Sequence, residues 1–181
     1  MLSVADRTTS TGQMIHNYLA GNNQQEDHSI HLIFSANRWE AIGSIISDID
    51  RGVTVIVDRY SFSGAVYSAA KDNPNLSLHW AWAPEIGLPK PDITLFLHIS
   101  PQEAARRGGF GSEKYETVMM QSRVRELFGE LFAKLGDDIA NKIDADRSVE
   151  EVANDVAKLV FGCIESVESK GPLEKLGPLS A

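Results

Sequence analysis

The stretch Val53-Thr54-Val55-Ile56-Val57-Asp58-Arg59-Tyr60 decides the fold class. Its first five residues are apolar or β-branched, and a continuous run of this kind predicts a parallel strand that is buried on both faces. Residues 93–99 form a second run of the same character. Because such runs alternate with helical patterns, we predict an α/β fold in which helices flank a parallel sheet. Ligands bind beyond the carboxyl ends of parallel strands, so Asp58 and Arg59 lie where a site is expected.

The other elements are predicted around these two strands. We expect helices at residues 11–19, 29–49, 62–71, 101–107, 118–135 and from 149 onward, with a short strand at 142–144. Ser148 and Glu151 form a capping box at the start of the last helix. No internal repeat divides the chain, so we predict one domain over residues 1–181, with a loose tail from about residue 171, where glycine and proline recur.

The composition limits the partners. The net charge is −8, whereas a general nucleic-acid binder normally carries a basic stripe that meets phosphates. A small anionic ligand is compatible with this charge, because a few arginines in a cleft override the global sign. No apolar run reaches the roughly 18 residues that a membrane span requires. The single cysteine, Cys163, allows no internal disulfide. We expect a cytoplasmic protein, with the nucleus as a second compartment, that binds neither nucleic acid nor membrane.

Asp58 follows an apolar strand directly, which is the Walker-B pattern of a carboxylate that holds Mg²⁺. Arg59 beside it can form a two-pronged hydrogen bond to a phosphate. The alternative is a helix cap or a structural ion pair, and this pattern alone leaves both interpretations open.

Phe34 and Arg38 are four residues apart and therefore share one face of a predicted helix. An aromatic ring beside a guanidinium suits a nucleobase, because the ring stacks on the base and the arginine donates to a carbonyl. The alternative places Phe34 in the core and Arg38 in solvent.

Two further basic segments are candidates for phosphate contacts. Arg106 and Arg107 precede Gly108, Gly109 and Gly111, and such a mobile basic segment suits a lid that closes over phosphates. A solvated helix end is an equal alternative, because arginine favours the negative end of the helix dipole. Arg7 is placed to bind a monophosphate, although disorder at the start of the chain explains it as well.

In their order along the chain, these motifs resemble the thymidylate kinases of eukaryotes. The motifs are Asp-Arg-Thr-Thr at 6–9, Phe-Ser-Ala-Asn-Arg-Trp-Glu at 34–40, Asp-Arg-Tyr-Ser-Phe-Ser-Gly at 58–64, Gly-Leu-Pro-Lys-Pro-Asp at 87–92 and Arg-Gly-Gly-Phe-Gly-Ser-Glu-Lys-Tyr-Glu at 107–116. The resemblance runs from about residue 6 to about residue 175. It implies a P-loop-kinase-like sheet, a homodimer, and transfer of the γ-phosphoryl group of ATP to dTMP with Mg²⁺, giving dTDP for dTTP synthesis.

The resemblance also implies residue roles. Residues implied to bind the acceptor nucleotide are Arg7 and Arg59 at its phosphate, Phe34 and Arg38 at its base, and Ser63, Gly64, Tyr67, Tyr115 and Gln121 around the nucleoside. The ring of Tyr67 would crowd a ribose 2′-hydroxyl and favour deoxyribose. Residues implied to serve catalysis or the donor are Asp58 at the metal, Arg59, Arg106 and Arg107 at transferring phosphates, and Arg107, Asp144, Asp146 and Arg147 near ATP.

One motif of the family has no counterpart in this sequence. A P-loop is written G-x-x-x-x-G-K-[ST], and these 181 residues contain no Gly-Lys dipeptide. The resemblance implies a central strand between residues 53–57 and 93–99, so we expect two unpaired strand edges and a sequence that is incomplete at its N-terminus. We expect phosphoryl transfer by these residues alone to fall by orders of magnitude. The alternative function is a dTMP-binding or partner-binding module.

Overall fold

The computed structural model describes residues 2–3, 8–107, 115, 117–136 and 139–180, without the side chains of residues 2, 3 and 168. The four strands of these ranges form two parallel pairs, β1 (Leu2–Ser3) with β2 (Val57–Asp58) and β3 (Leu95–His98) with β4 (Asn141–Asp144). Parallel pairs joined through helices confirm the predicted α/β class.

Helices make up most of the described chain. Their bounds are α1 Ser10–Leu19, α2 Asp27–Asp50, α3 Ser61–Ala69, α4 Leu78–Trp82, α5 Pro101–Arg106, α6 Val118–Leu135 and α7 Val149–Ser166, with single 3-10 turns at Ala83–Glu85 and Val167–Ser169. The capping box of Ser148 and Glu151 forms at α7 as predicted. No helix of the described ranges combines the length and apolar character needed to cross a membrane.

The prediction of a buried strand at residues 53–57 is wrong. Only Val57 of this run joins β2, and the side chains of Val53 and Ile56 are 49% and 58% exposed. A strand is buried on both faces only where neighbouring strands and helices cover it. Here β2 pairs with β1 alone, and within the described ranges the two strand pairs form separate sheets, as expected for strands with unpaired edges.

The hydrophobic core lies between helices instead of around a wide sheet. Its buried residues come mainly from α3, α4 and α6 and include Phe62, Trp82, Leu88, Leu131 and Phe132. Helix α3 packs against both α4 and α6, and α2 packs against α1 and α3. This arrangement fixes the face of α2 that carries the candidate binding residues.

The tail beyond residue 171 is docked, contrary to the predicted looseness. We call residues 174–180 the C-terminal strap. Leu176 and Leu179 of the strap are 3% and 8% exposed, and the backbone N–H of Leu176 donates to the carbonyl of Leu88 at 2.8 Å. Two leucines three residues apart supply apolar burial that glycine and proline content does not reveal.

Candidate functional site

The candidate site is built around a buried ion pair between α2 and the turn that follows α4. Arg38 donates to Glu85 through Nε at 2.7 Å and through Nη2 at 2.5 Å. Their side chains are only 3% and 0% exposed. The planar fork of arginine matches a carboxylate, so this geometry fixes the guanidinium in one orientation.

The third nitrogen of the guanidinium has no partner among the described residues. Nη1 of Arg38 is buried and makes no hydrogen bond within the part of the chain that the structure describes. An unsatisfied buried donor costs about 1–3 kcal/mol, and more when it is charged. A ligand that presents a carbonyl oxygen at this point would remove that cost.

Gly64 on α3 lies directly against this guanidinium. A Cβ atom built on Gly64 would lie 2.7 Å from Nη2 and 2.9 Å from Nη1 of Arg38. Side chains do not approach that closely, so the absence of a side chain at this position lets Arg38 reach Glu85. The predicted neighbours Arg38 and Gly64 therefore meet, and Ser63 is half-buried beside them.

The mutation Gly64→Ala is expected to destabilise the protein by about 1–3 kcal/mol, because the added methyl group overlaps a guanidinium that cannot withdraw from Glu85. The free energy of unfolding in urea measures this effect. The control is Gly129→Ala on α6, where an added Cβ meets nothing within 4 Å and where we expect a gain of about 0.5–1 kcal/mol. Equal effects at the two glycines would contradict the close packing at Gly64.

Phe34 lies one turn before Arg38 on α2 and is half-buried. Residues four apart on a helix share a face, so α2 presents Phe34 and Arg38 on the same side. The alternative that places Arg38 in solvent is excluded, because Arg38 is buried.

Aromatic residues extend the site away from Arg38. The rings of Tyr67 and Tyr115 meet edge-on with centroids 6.0 Å apart, and the guanidinium of Arg59 lies 5.5 Å from the ring centre of Tyr67. The Gln121 side chain donates to the Tyr115 carbonyl at 3.0 Å, and the Tyr115 hydroxyl donates to Tyr18 at 2.9 Å. Burial is the main cause that raises the pKa of Tyr115. Four predicted site residues are therefore neighbours.

Asp58 and Arg59 lie at the carboxyl end of β2, as predicted. Both are exposed, and Arg59 has φ of 63°, a left-handed conformation that costs a non-glycine residue about 1–2 kcal/mol. Such strain is common where a chain must aim a functional side chain. Among the described residues no group of three or more His, Cys, Asp or Glu side chains could hold a metal.

Arg107 joins the end of α5 to the loop after β4. It donates to the carbonyl of Ala145 at 2.6 Å and to that of Arg147 at 3.0 Å. Asp144 ends β4 and Asp146 lies in the loop that follows, where Oδ1 of Asp144 accepts from the backbone N–H of Asp146 at 2.9 Å. The four residues predicted near ATP therefore form one cluster.

Arg106 shares a carboxylate with Arg107 on α5. Glu103 accepts from Arg106 Nε at 2.8 Å and from Arg107 Nε at 3.1 Å. Hydrogen bonds from Arg106 and Arg107 lower the pKa of Glu103 to about 2. Arg7 and residues 108–111 lie outside the described residues.

Glu85 and His31 are buried polar residues that the sequence analysis did not single out. His31 is fully buried on α2, its Nδ1 lies 2.8 Å from Ser68 Oγ, and burial lowers its pKa to about 4. Glu85 is a lone carboxylate between apolar residues in Ala-Pro-Glu-Ile-Gly. Such a carboxylate needs a cationic partner if it is buried, which is the available sequence signal.

Comparisons with known proteins agree on one family. A family model described as thymidylate kinase matches residues 1–156. The thymidylate kinase of Danio rerio is 43% identical over 91% of this chain and 76% of its own length. That of Homo sapiens is 41% identical over 97% of this chain and 81% of its own length. The solved thymidylate kinase of Candida albicans has a TM-score of 0.81 at 29% identity, covering 97% of this chain and 84% of that one.

Proposed function

The chain belongs to the thymidylate kinase family of ATP-dependent kinases, and from this premise we propose that it transfers the γ-phosphoryl group of ATP to dTMP. The product, dTDP, then serves dTTP synthesis. We further propose a cytoplasmic location, with the nucleus as a second compartment, as is generally expected of this family.

One observation carries the proposal for dTMP, namely the unpaired Nη1 of Arg38 in a buried guanidinium. Thymine presents carbonyl oxygens at its edge, and an arginine donor can satisfy one of them. Phe34 on the same helix face supplies an aromatic surface for the base. Glu85 holds the fork before the ligand arrives, so little side-chain freedom is lost on binding.

The acceptor phosphate and the metal are assigned to the carboxyl end of β2. Arg59 and Arg7 are proposed to bind the phosphate of dTMP, and the ring of Tyr67 is proposed to exclude a ribose 2′-hydroxyl. A single carboxylate fits Mg²⁺ chemistry, because this ion is usually held by one or two carboxylates together with substrate phosphates and water. Asp58 is therefore proposed to hold Mg²⁺, which would neutralise charge on the phosphates.

The donor is assigned to the cluster around Arg107. Arg107, Asp144, Asp146 and Arg147 are proposed to contact ATP, and Arg106 and Arg107 to stabilise charge on the transferring phosphoryl group. Support comes from the hydrogen bonds that join Arg107 to Ala145 and Arg147.

A second candidate function is dTMP binding without transfer. It applies to these 181 residues taken alone, which contain no Gly-Lys dipeptide, whereas the P-loop lysine and glycines normally hold the donor phosphates. With this function the Arg38 site binds dTMP, but ATP is not held in a position from which its phosphoryl group can be transferred.

Calorimetric titration with dTMP, followed by a phosphoryl-transfer assay with ATP and Mg²⁺, tests both functions. The double mutant Arg38→Met/Glu85→Leu removes the donor together with its buried partner, and we expect it to weaken dTMP binding about 10- to 100-fold, the loss of a charged hydrogen bond. Arg123→Met, at an exposed arginine 3.5 Å from Asp72, is the matched control and should bind normally. Binding with transfer supports the first function, and binding alone supports the second. No binding by the unmutated chain contradicts both.

We also propose a homodimer formed through the outer face of α2. Leu32, Trp39 and Ile46 recur at seven-residue spacing, which places them on one helix face, and they are 47%, 43% and 40% exposed. Exposed apolar stripes on helices are typical of protein interfaces. Sedimentation equilibrium tests this, because Leu32→Glu should yield a monomer, whereas the unmutated chain should sediment as a dimer.

A further inference from the structure

Glu85, which fixes Arg38, lies on a segment that is held from two sides. On one side α2 holds the residue before it, because Ser35 Oγ and Trp39 Nε1 donate to the carbonyl of Pro84 at 3.2 and 2.8 Å. On the other side stands the C-terminal strap, a part of the chain to which neither the resemblance nor the proposed function gives a role.

The strap contacts the chain on both sides of Glu85, through the backbone after it and through a side chain before it. The backbone N–H of Gly87 donates to the Leu176 carbonyl at 2.9 Å, and that of Leu176 donates to the Leu88 carbonyl at 2.8 Å. Before Glu85, Nε1 of Trp82 donates to the Gly177 carbonyl at 2.8 Å. The strap therefore extends the turn by an antiparallel pairing, which continues as a bridge between Pro89 and Lys175.

The strap is in turn anchored to the core. Leu176 and Leu179 belong to the buried cluster, and Ser180 donates to the carbonyl of Lys134 on α6 through its hydroxyl at 2.6 Å. At the edge of the protein, Lys90 Nζ and Glu174 form an ion pair of 2.7 Å. A segment with buried leucines and paired backbone transmits its position to the residues it holds.

The turn is tightly packed at Gly87, two residues after Glu85. Gly87 has φ of 98°, and a Cβ there would lie 3.3 Å from the Trp39 ring. Glu85 therefore has its position defined by α2 and by the strap together. If the strap separated, the turn would keep its α2 contacts but lose the pairing that follows Glu85.

We propose that the C-terminal strap is a positioning element of the nucleobase site, which holds the turn of Glu85 so that Nη1 of Arg38 faces the base of the bound nucleotide. The inference rests on the proposed function, because it assigns the base to Arg38. It predicts that strap docking affects recognition of the base and leaves recognition of the phosphate unchanged.

The test compares two ligands, dTMP and deoxyribose 5-phosphate, which lacks the base. Leu176→Ala should weaken dTMP binding about tenfold, the loss of one charged hydrogen bond, and leave deoxyribose 5-phosphate binding unchanged. Ile143→Ala is the control, since Ile143 is equally buried but lies on β4 outside the core cluster. Calorimetry is run where circular dichroism shows each variant to be folded. If Leu176 had only a structural role, Leu176→Ala and Ile143→Ala would each weaken the binding of dTMP and of deoxyribose 5-phosphate to the same extent.

A milder pair of variants keeps the test decisive if Leu176→Ala does not fold. Glu174→Lys opposes Lys90 at the strap and should weaken dTMP binding two- to fivefold, about the strength of an exposed ion pair. The exchange Lys90→Glu/Glu174→Lys should restore it. Unchanged dTMP affinity in the single variants overturns the inference while the proposed function stands. Failure of the unmutated chain to bind dTMP overturns both.

Discussion

Replacing Glu85 by alanine is expected to lower the free energy of unfolding by about 3–5 kcal/mol, because it leaves the guanidinium of Arg38 buried without a carboxylate. Both side chains are almost fully buried, and Arg38 donates to Glu85 through two nitrogens. Urea unfolding followed by circular dichroism measures the change. An effect this large is a substantial part of the free energy of unfolding of a small domain.

Two controls separate the buried charge from the loss of a side chain. The double mutant Arg38→Met/Glu85→Leu should unfold close to the parent, since replacing a whole buried pair by apolar residues is often neutral. Asp155→Ala breaks the ion pair between Asp155 and Arg147, which is far more exposed than the pair of Arg38 and Glu85. We expect it to lower the free energy of unfolding by less than about 1 kcal/mol. A small effect of Glu85→Ala would mean that water reaches the pair in solution.

Acid is expected to destabilise the protein through His31. Burial is the main cause that lowers its pKa from 6.5 to about 4, with Arg38 and Lys71 acting in the same direction and Glu85 opposing them. The unfolded chain therefore takes up a proton near pH 6.5, whereas the folded chain does so only near pH 4. The stability from neutral His31 is complete above pH 6.5, and about 3 kcal/mol is lost as the pH falls to 4.

Urea unfolding at pH 7 and at pH 4.5, on the parent and on His31→Gln, measures this contribution. The variant lacks the titrating group and should lose less stability between the two pH values. The hydrogen bond to Glu26 raises the pKa of His28. Because His28 is present in both the parent and His31→Gln, its contribution cancels from the comparison. Equal losses in the two proteins would show that His31 is not responsible.

Elements governed by local sequence were predicted well. The helix at 118–135 and the capping box of Ser148 and Glu151 appear as expected, because periodicity and caps act within a few residues. The prediction of a buried strand at 53–57 was wrong because a strand depends on neighbouring strands and helices that sequence patterns do not show. The docked strap was missed for the same reason, since its pairing partner, the turn after Glu85, lies far away in the sequence.

The residues of the candidate site likewise include some that the sequence predicted and some that it did not. Phe34, Arg38, Gly64 and Tyr67 were expected together from the order of the motifs, and Arg38 does lie against Gly64. Glu85 was not expected, because it is 47 residues from Arg38 and carries no motif of its own. Only the fold brings these two charges together, and without Glu85 the burial of Arg38 has no explanation.

The fixed orientation of the Arg38 fork has a consequence for discrimination between pyrimidines. Arginine always remains a donor, because its guanidinium does not lose a proton in proteins. Cytosine carries an amino group where thymine carries its 4-carbonyl oxygen. If the base binds with position 4 against Nη1, under the proposed assignment, cytosine would bring donor against donor there. A side chain free to turn could avoid that encounter, whereas one held by Glu85 and Gly64 cannot. Under the proposed assignment of the base to Arg38, the burial of an immovable charge would convert a difference of one functional group into rejection of the wrong base.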